Sequence, residues 1–310
     1  MYRATLKLNG VPTKVIAEGC WVEEGLARCT KKDIVILLTG NPGVPDFYEG
    51  FVKTIRSRLP STEVPIWIVG HAGHTQPSSS LAYTMPSNLT WDEHYGLMAQ
   101  VQHKKDFINK YVPEDGRLHL IGHSIGCWMI LNLLKDDSIA KKVTKCYMLF
   151  PTIEHMAETN NGWYFTKIVP HIIFLLTFFA WIFSLFPNFL QNLFLAMLGP
   201  LWGVPAKYHE AVLQMLNPYS VNKICQLACE EMKFVKNPDD DIISKHAEKL
   251  WFYYGNCDGW TPIKFYQNIR TKHPDVNAQL CKHGYGHAFV LRSEREMGKI
   301  VGDVINGNLS

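Results

Sequence analysis

The chain has 310 residues, a net charge of +3, 19% charged residues and 47% hydrophobic ones. So small a charge excess argues against nucleic acid as a partner, because phosphate backbones select strongly basic faces; the lysine pairs at 31–32, 104–105 and 141–142 are scattered. The length exceeds one simple domain and implies a single core with an insertion.

The predicted elements begin with an antiparallel ribbon in residues 1–30. Thr5–Leu8 and Thr13–Ala17 flank Asn9-Gly10, a hairpin turn signal. The first seven residues hold no apolar signal core, so no secretory leader is expected. Eight cysteines without framework spacing point to reduced thiols in a cytosol-facing compartment. Asn88-Leu89-Thr90 matches a glycosylation acceptor, but no export signal accompanies it.

Asp33–Leu38 is a continuous apolar run, as expected of a strand buried on both faces. It ends in Thr39-Gly40-Asn41-Pro42-Gly43. Phe47–Leu59 has helical spacing, with Phe51, Ile55 and Leu59 on one face. Val64–Val69 reads as the next strand. A long loop, 72–89, precedes a helix over Thr90–Tyr111, with Asp92 and Glu93 near its positive end.

The stretch Leu118–Trp128 carries the chemistry. An apolar run ends in Gly122-His123-Ser124-Ile125-Gly126, and helical sequence follows. Gly-x-Ser-x-Gly between a strand and a helix is a nucleophile elbow. Ser124 would be the nucleophile, and a serine hydroxyl needs a base to take its proton. The N–H of Ile125, just after it, opens the helix and would face a developing oxyanion.

Thr144–Phe150 is the next strand. After the insertion come a strand at Leu250–Tyr254, a helix at Trp260–Asn268, a short strand at Ala278–Cys281 and a helix at Arg292–Ile305. Alternating strands and helices imply a mostly parallel sheet covered on both faces, an α/β class. Asp258 follows a buried-strand run; it would orient a catalytic imidazole, or else be a turn aspartate capping the Trp260 helix. Glu154, after the preceding strand, is the other candidate acid. His287, on the glycine-flanked loop His283–His287, is the candidate base, and His283 is its rival.

Ser124, Gly255-x-x-Asp258-x-x-x-Pro262 and Gly286-His287-Ala288-Phe289 occur in the order Ser, Asp, His. That resembles the α/β-hydrolase fold, whose triad runs in this chain order. More narrowly, the stretch from Thr39 to Tyr48, the elbow and the aromatic insertion resemble the lipid-droplet-associated hydrolase family. The resemblance implies a serine hydrolase that needs no cofactor and binds the lipid-droplet monolayer and endoplasmic reticulum membrane. Its implied substrates are neutral lipid esters, sterol esters in particular. It also implies that Asn41 supplies a second oxyanion donor beside Ile125. Thr39-Gly40 departs from the His-Gly of many relatives, which leaves backbone donors in place. Cys225 and Cys229 lack a second pair, so no metal is expected.

These readings divide the chain into core residues 1–151, an inserted cap 152–245 and core residues 246–310. Between Ile168 and Ala206 there is no Asp, Glu, Lys or Arg. Ile172–Leu185 and Phe189–Leu198, separated by Phe186-Pro187-Asn188, are each shorter than the roughly 20 residues of a membrane-spanning helix. A single span would put the triad residues on opposite sides of the bilayer. A cap buried against the core would need a polar face these segments lack. A helical hairpin dipping into one lipid leaflet fits best. Its expected lipid-contacting residues are Ile172, Phe174, Leu175, Phe178, Phe179, Trp181, Phe183, Leu185, Phe189 and Phe194. Two alternatives stay open: a droplet scaffold with a hydrolase fold and little turnover, and a hydrolase of water-soluble esters with an apolar cap.

Overall fold

The computed structural model describes residues 1–22, 32–75 and 89–309. Eight strands form one sheet in the order β1-β2-β4-β3-β5-β6-β7-β8. β1 (Tyr2–Leu8) and β2 (Val11–Glu18) are the hairpin, with Asn9 and Gly10 at φ +44° and +78°. A two-residue hairpin needs that left-handed backbone, which Asn and Gly tolerate. β2 runs antiparallel to β4 (Ile66–Val69). From β4 onward, β3 (Asp33–Leu38), β5 (Arg117–His123), β6 (Val143–Leu149), β7 (Leu250–Tyr254) and β8 (Asn277–Leu280) are all parallel.

The continuous apolar runs arise because both faces of these strands are covered. Ile34, Ile36 and Leu38 enter one core. It also holds Phe107 of α2 (Leu97–Tyr111), Met129 of α3 (Ile125–Leu133) and Phe265 of the helix after β7. Val35 and Leu37 enter the other core, with Phe51 of α1 (Glu49–Arg58) and Met297 of the C-terminal helix. α4 (Asp137–Lys142) leads into β6.

Between β6 and β7 lie α5 (Asn160–Lys167), α6 (Val169–Ser184), α7 (Asn188–Leu198), α8 (His209–Met215), α9 (Pro218–Phe234) and α10 (Asp240–Lys245). α11 (Ile263–Lys272) follows β7, and α12 (Phe289–Arg292) and α13 (Glu294–Asn306) close the described chain.

Several boundaries differ from the sequence expectation. The helix expected over Thr90–Tyr111 is broken: a wide turn at Trp91–Tyr95 ends at Gly96, and α2 starts afresh. The first N–H groups of each piece still find acceptors, Glu93 N of the wide turn on Thr90 Oγ1 at 3.4 Å and Leu97 N of α2 on Glu230 Oε2 at 2.6 Å. The helix after β7 starts at Ile263 rather than Trp260, beyond Pro262. The expectation for the cysteines needs one correction: Cys20 is disulfide-bonded, whereas six others are free thiols. Most of the 72–89 loop and Asn88 of the glycosylation triplet lie outside the described residues.

The charge-free stretch folds as α6 and α7, which break at Phe186-Pro187, and α5 meets α6 at a 73° bend. Among the described residues, no single helix is long and apolar enough to cross a membrane. The two segments are not a tightly closed hairpin. α6 packs along α9 rather than along α7, and touches α7 where the Phe183 and Phe194 rings stand 5.6 Å apart. The groove left between them has a volume of about 830 Å³ and is lined by Leu176, Phe179, Phe183, Leu190, Phe194 and Trp202.

Candidate active site

Ser124 stands at the C-terminal end of β5, in the middle of the sheet, with φ +54°. That is a sparsely populated conformation for a residue with a Cβ, and the surroundings must hold it. The two motif glycines permit it through close approach. A Cβ at Gly122 would lie 2.8 Å from Ile130 Cδ1, and one at Gly126 would lie 2.5 Å from the Leu38 carbonyl oxygen.

The loop after β8 brings His287 over the serine. The Ser124 hydroxyl meets His287 Nε2 at 2.9 Å, and His287 Nδ1 meets Asp258 Oδ2 at 2.7 Å. Asp258 lies beyond β7, and its two oxygens divide their work. Oδ1 accepts from the N–H groups of Trp260 (2.7 Å) and Thr261 (3.2 Å), whereas Oδ2 accepts from Thr261 Oγ1 (2.7 Å) and the imidazole. Asp258 is therefore the imidazole's partner and also holds the turn at Trp260–Thr261, but it caps no helix, because α11 starts only at Ile263. Burial pushes its carboxyl up. The His287 charge, with hydrogen bonds from His287, Thr261 and Trp260, outweighs that and holds it at about 2.

The rivals stand elsewhere. Glu154 accepts from Asn268 Nδ2 at 3.0 Å, and its carboxyl is raised by burial. His283 is exposed and stacks on Tyr285, ring centroids 5.3 Å apart.

Sequence reasoning missed a second series of contacts, through the variable position of the elbow. Gly40 N donates to Tyr48 Oη at 2.8 Å, and Tyr48 Oη meets His123 Nδ1 at 2.7 Å. His123 Nε2 meets the carbonyl oxygen of His287 at 2.9 Å. One proton arrangement satisfies every contact: Tyr48 donates to Nδ1, and Nε2–H donates to the carbonyl. Burial first, then the nearby His287 charge, lowers His123 to about 3, so the ring is neutral; burial raises Tyr48. The loop after β3 and the loop carrying His287 are thus tied to one buried imidazole. The only sequence clue was Tyr48, inside the stretch that carries the family resemblance.

Of the two expected oxyanion donors, Ile125 opens α3, so its N–H has no acceptor within its own helix. Gly40, next to Asn41, passes so close that a Cβ on it would lie 3.1 Å from Ser124 Cβ. Among the described residues no three His, Cys, Asp or Glu side chains gather as a metal set.

The inserted helices border this site. Asn161 N of α5 donates to the Gly259 carbonyl oxygen at 3.2 Å, and Phe165 lies against Trp260 at 5.1 Å, itself 6.2 Å from the His287 ring. Beyond α5, α6 and α7 turn their apolar side chains outward. Phe174 is 84% exposed, Phe189 69% and Leu185 64%. Leu175, Phe178, Phe179, Trp181 and Phe194 are also exposed, whereas Ile172 and Phe183 are half-buried.

Comparison with known proteins agrees with this architecture. A family profile described as lipid-droplet associated hydrolase matches residues 31–290. The chain is 39% identical to the lipid droplet-associated hydrolase of Drosophila melanogaster, over 98% of each chain. It is 34% identical to that of Mus musculus, over 96% of this chain and 93% of the other. Among solved structures, a putative aryl esterase from Burkholderia cenocepacia superposes with a TM-score of 0.62 at 14% identity, covering 99% of both chains. The fold is that of the α/β-hydrolases, and the chain belongs to the lipid-droplet-associated hydrolase family.

Proposed function

We propose that this chain is a serine carboxylic-ester hydrolase of neutral lipid, with sterol esters as the leading substrate class. We place it on the lipid-droplet monolayer and the endoplasmic reticulum membrane, facing the cytosol. The observation that carries the reading is the unbroken series Ser124–His287–Asp258, with contacts of 2.9 and 2.7 Å, beside charge-free helices that expose large apolar side chains. The names of its relatives support the droplet.

In this reading the chain divides into core residues 1–151 and 246–310 and a cap, 152–245. His287 Nε2 takes the Ser124 proton as Oγ attacks the ester carbonyl. Asp258 holds the imidazole in the tautomer with its proton on Nδ1 and stabilises the charged ring. The N–H groups of Ile125 and Asn41 receive the carbonyl oxygen as it becomes anionic; losing one such donor costs about 2.7–4 kcal/mol of transition-state stabilisation. Collapse of the intermediate expels the alcohol, which takes the proton from His287. Water, deprotonated by the same imidazole, then cleaves the acyl-serine and releases the fatty acid. α6 and α7 lie in one lipid leaflet and pass substrate from it towards the serine.

The test is reaction of the full chain with a fluorophosphonate probe, followed by lipid-ester turnover on emulsified substrate. Labelling that Ser124→Ala abolishes is the expected result. Folded wild-type protein that stays unlabelled would leave the scaffold reading in its place.

A further inference from the structure

Asn41 is where the inserted helices reach the nucleophile's surroundings. Its Nδ2 donates to Glu231 Oε1 at 2.9 Å and to the Ile224 carbonyl oxygen at 3.1 Å, and both acceptors belong to α9. Glu231 is only 3% exposed. Its neighbour Glu230 fastens the same helix to the core, accepting from Trp91 Nε1 and Leu97 N at 2.6 Å each. α6 packs along α9 as well. One helix therefore holds the lipid-facing segment and, through a buried carboxyl, the loop that passes over Ser124.

A buried carboxyl is costly unless it has a partner. Burial pushes Glu231 up to about 8, against the pull of the Asn41 hydrogen bond, so at neutral pH it is mostly the neutral acid. As a neutral acid it still accepts from Asn41 through its carbonyl oxygen. A surface helix would place solvated glutamates at both 230 and 231; here both point into the protein and each holds a different loop or helix end.

We propose that Glu231 is a positioning residue: it holds the oxyanion loop through the Asn41 side chain, so that the donor geometry at Ser124 follows the seating of α9 and of the lipid-facing helix α6. The inference rests on the esterase reading of Ser124. Its physical basis is that catalytic groups displaced by about 1 Å can lose on the order of 10²-fold in rate. An interaction made only in the transition state lowers kcat when it is lost and largely spares substrate affinity.

The test uses the full chain with a soluble short-chain ester, with and without phosphatidylcholine vesicles containing triolein. Glu231→Leu should lower kcat about 10- to 100-fold, with KM changed less than about threefold. Glu231→Gln keeps an oxygen acceptor for Asn41 and should stay within about threefold of wild type. Asn41→Ala, which leaves the backbone N–H in place, should lose as much as Glu231→Leu. The double variant should be no worse than either single one, because the two changes remove one contact. Any stimulation of kcat by vesicles should disappear in Glu231→Leu. If Glu231→Leu does not fold, Glu231→Met and Asn41→Ala carry the same comparison.

Wild-type rates in Glu231→Leu, equal losses in Glu231→Leu and Glu231→Gln, or additive losses with Asn41→Ala would each overturn the inference alone. Wild-type protein that neither labels at Ser124 nor turns over ester overturns the esterase reading and the inference with it.

Discussion

Among the described residues, α3, α6 and α7 are helices wholly free of charged residues, and α3 and α6 end in opposite surroundings. α3 runs Ile-Gly-Cys-Trp-Met-Ile-Leu-Asn-Leu, and Ile125, Cys127, Met129 and Ile130 are all fully buried. α6 runs Val-Pro-His-Ile-Ile-Phe-Leu-Leu-Thr-Phe-Phe-Ala-Trp-Ile-Phe-Ser, and Ala180 is its one buried residue. Apolar content states that a helix avoids water; it does not state what replaces the water. α3 is flanked by β3, β5, β6 and α2, so the sheet is its solvent. α6 has α9 on one side, meets α5 and α7 near its ends, and leaves its outer face open. A contiguous apolar surface of that extent marks a partner or a lipid phase, and lipid satisfies a helix that is apolar all round.

The sharpest break between the two regions is chemical. Ser124→Ala, at the head of α3, should cut ester turnover by at least about 10³-fold. Removing outward-facing apolar side chains from α6, which leaves its seating on α9 intact, should leave turnover of a soluble ester within about twofold. Rates on p-nitrophenyl butyrate separate the two. Comparable losses from both would place α6 inside the catalytic machinery rather than beside it.

The next contrast is in stability. Met129→Ala empties a fully buried site in α3 and should cost about 2–5 kcal/mol in denaturant unfolding. The same truncation at Phe174 removes a side chain that touches little protein and should fall within about 0.5 kcal/mol. A large loss at Phe174 would show that α6 is covered by protein and that the outward-facing reading is wrong.

How much of this was legible depends on the range of the interaction involved. Asp33–Leu38 and Leu250–Tyr254 could be bounded to the residue, because burial on both faces makes such strands almost continuously apolar. Ser124, Asp258 and His287 could be named because motif and chain order encode them, and they now lie within hydrogen-bonding reach. His123 could not. It occupies a variable motif position, and its meaning comes from Tyr48, 75 residues earlier, and His287, 164 residues later. Glu231 was equally opaque: in Cys229-Glu230-Glu231-Met232-Lys233 it reads as a solvated helix face until α9 is docked. The packing of α6 on α9 is tertiary too, and nothing in the sequence of α6 shows that it lies along α9.

Acidification probes the rigid region specifically. Beside the sheet, His71, His74 and His103 are fully buried imidazoles near Lys104, and burial, then that lysine, lowers all three. His74 is held at about 3, with Nδ1 accepting from Gly43 N at 2.9 Å. For each ring the unfolded chain takes up a proton near 6.5, whereas the folded chain resists until lower pH. The unfolded state therefore binds more protons throughout that window. Stability is full above about 6.5 and falls by about 1.4 kcal/mol per pH unit and per imidazole below it. Neither nitrogen of His71 has a hydrogen-bond partner among the described residues. His71→Phe thus removes a titrating group without breaking a bond. Urea unfolding at pH 7.5, 6 and 5 should show a slope one imidazole shallower, and an unchanged slope would mean that His71 is protonated in the fold.

The last comparison concerns lipid contact, and it tests α6 most directly. Burying a Phe side chain in an apolar phase is favourable by about 1.5–3 kcal/mol. Phe174 is the most exposed large apolar side chain of the helix. If it enters a monolayer fully, Phe174→Ser should weaken binding to triolein-filled phospholipid particles by roughly 10- to 100-fold, the fold-change equivalent of that energy. Partial insertion gives less, which is why Phe174 and Phe189, on different helices, should be compared. Leaflet insertion of both helices predicts comparable losses from the two. A loss confined to Phe174 would mean that α6 alone touches lipid, and that α7 forms the far wall of the groove.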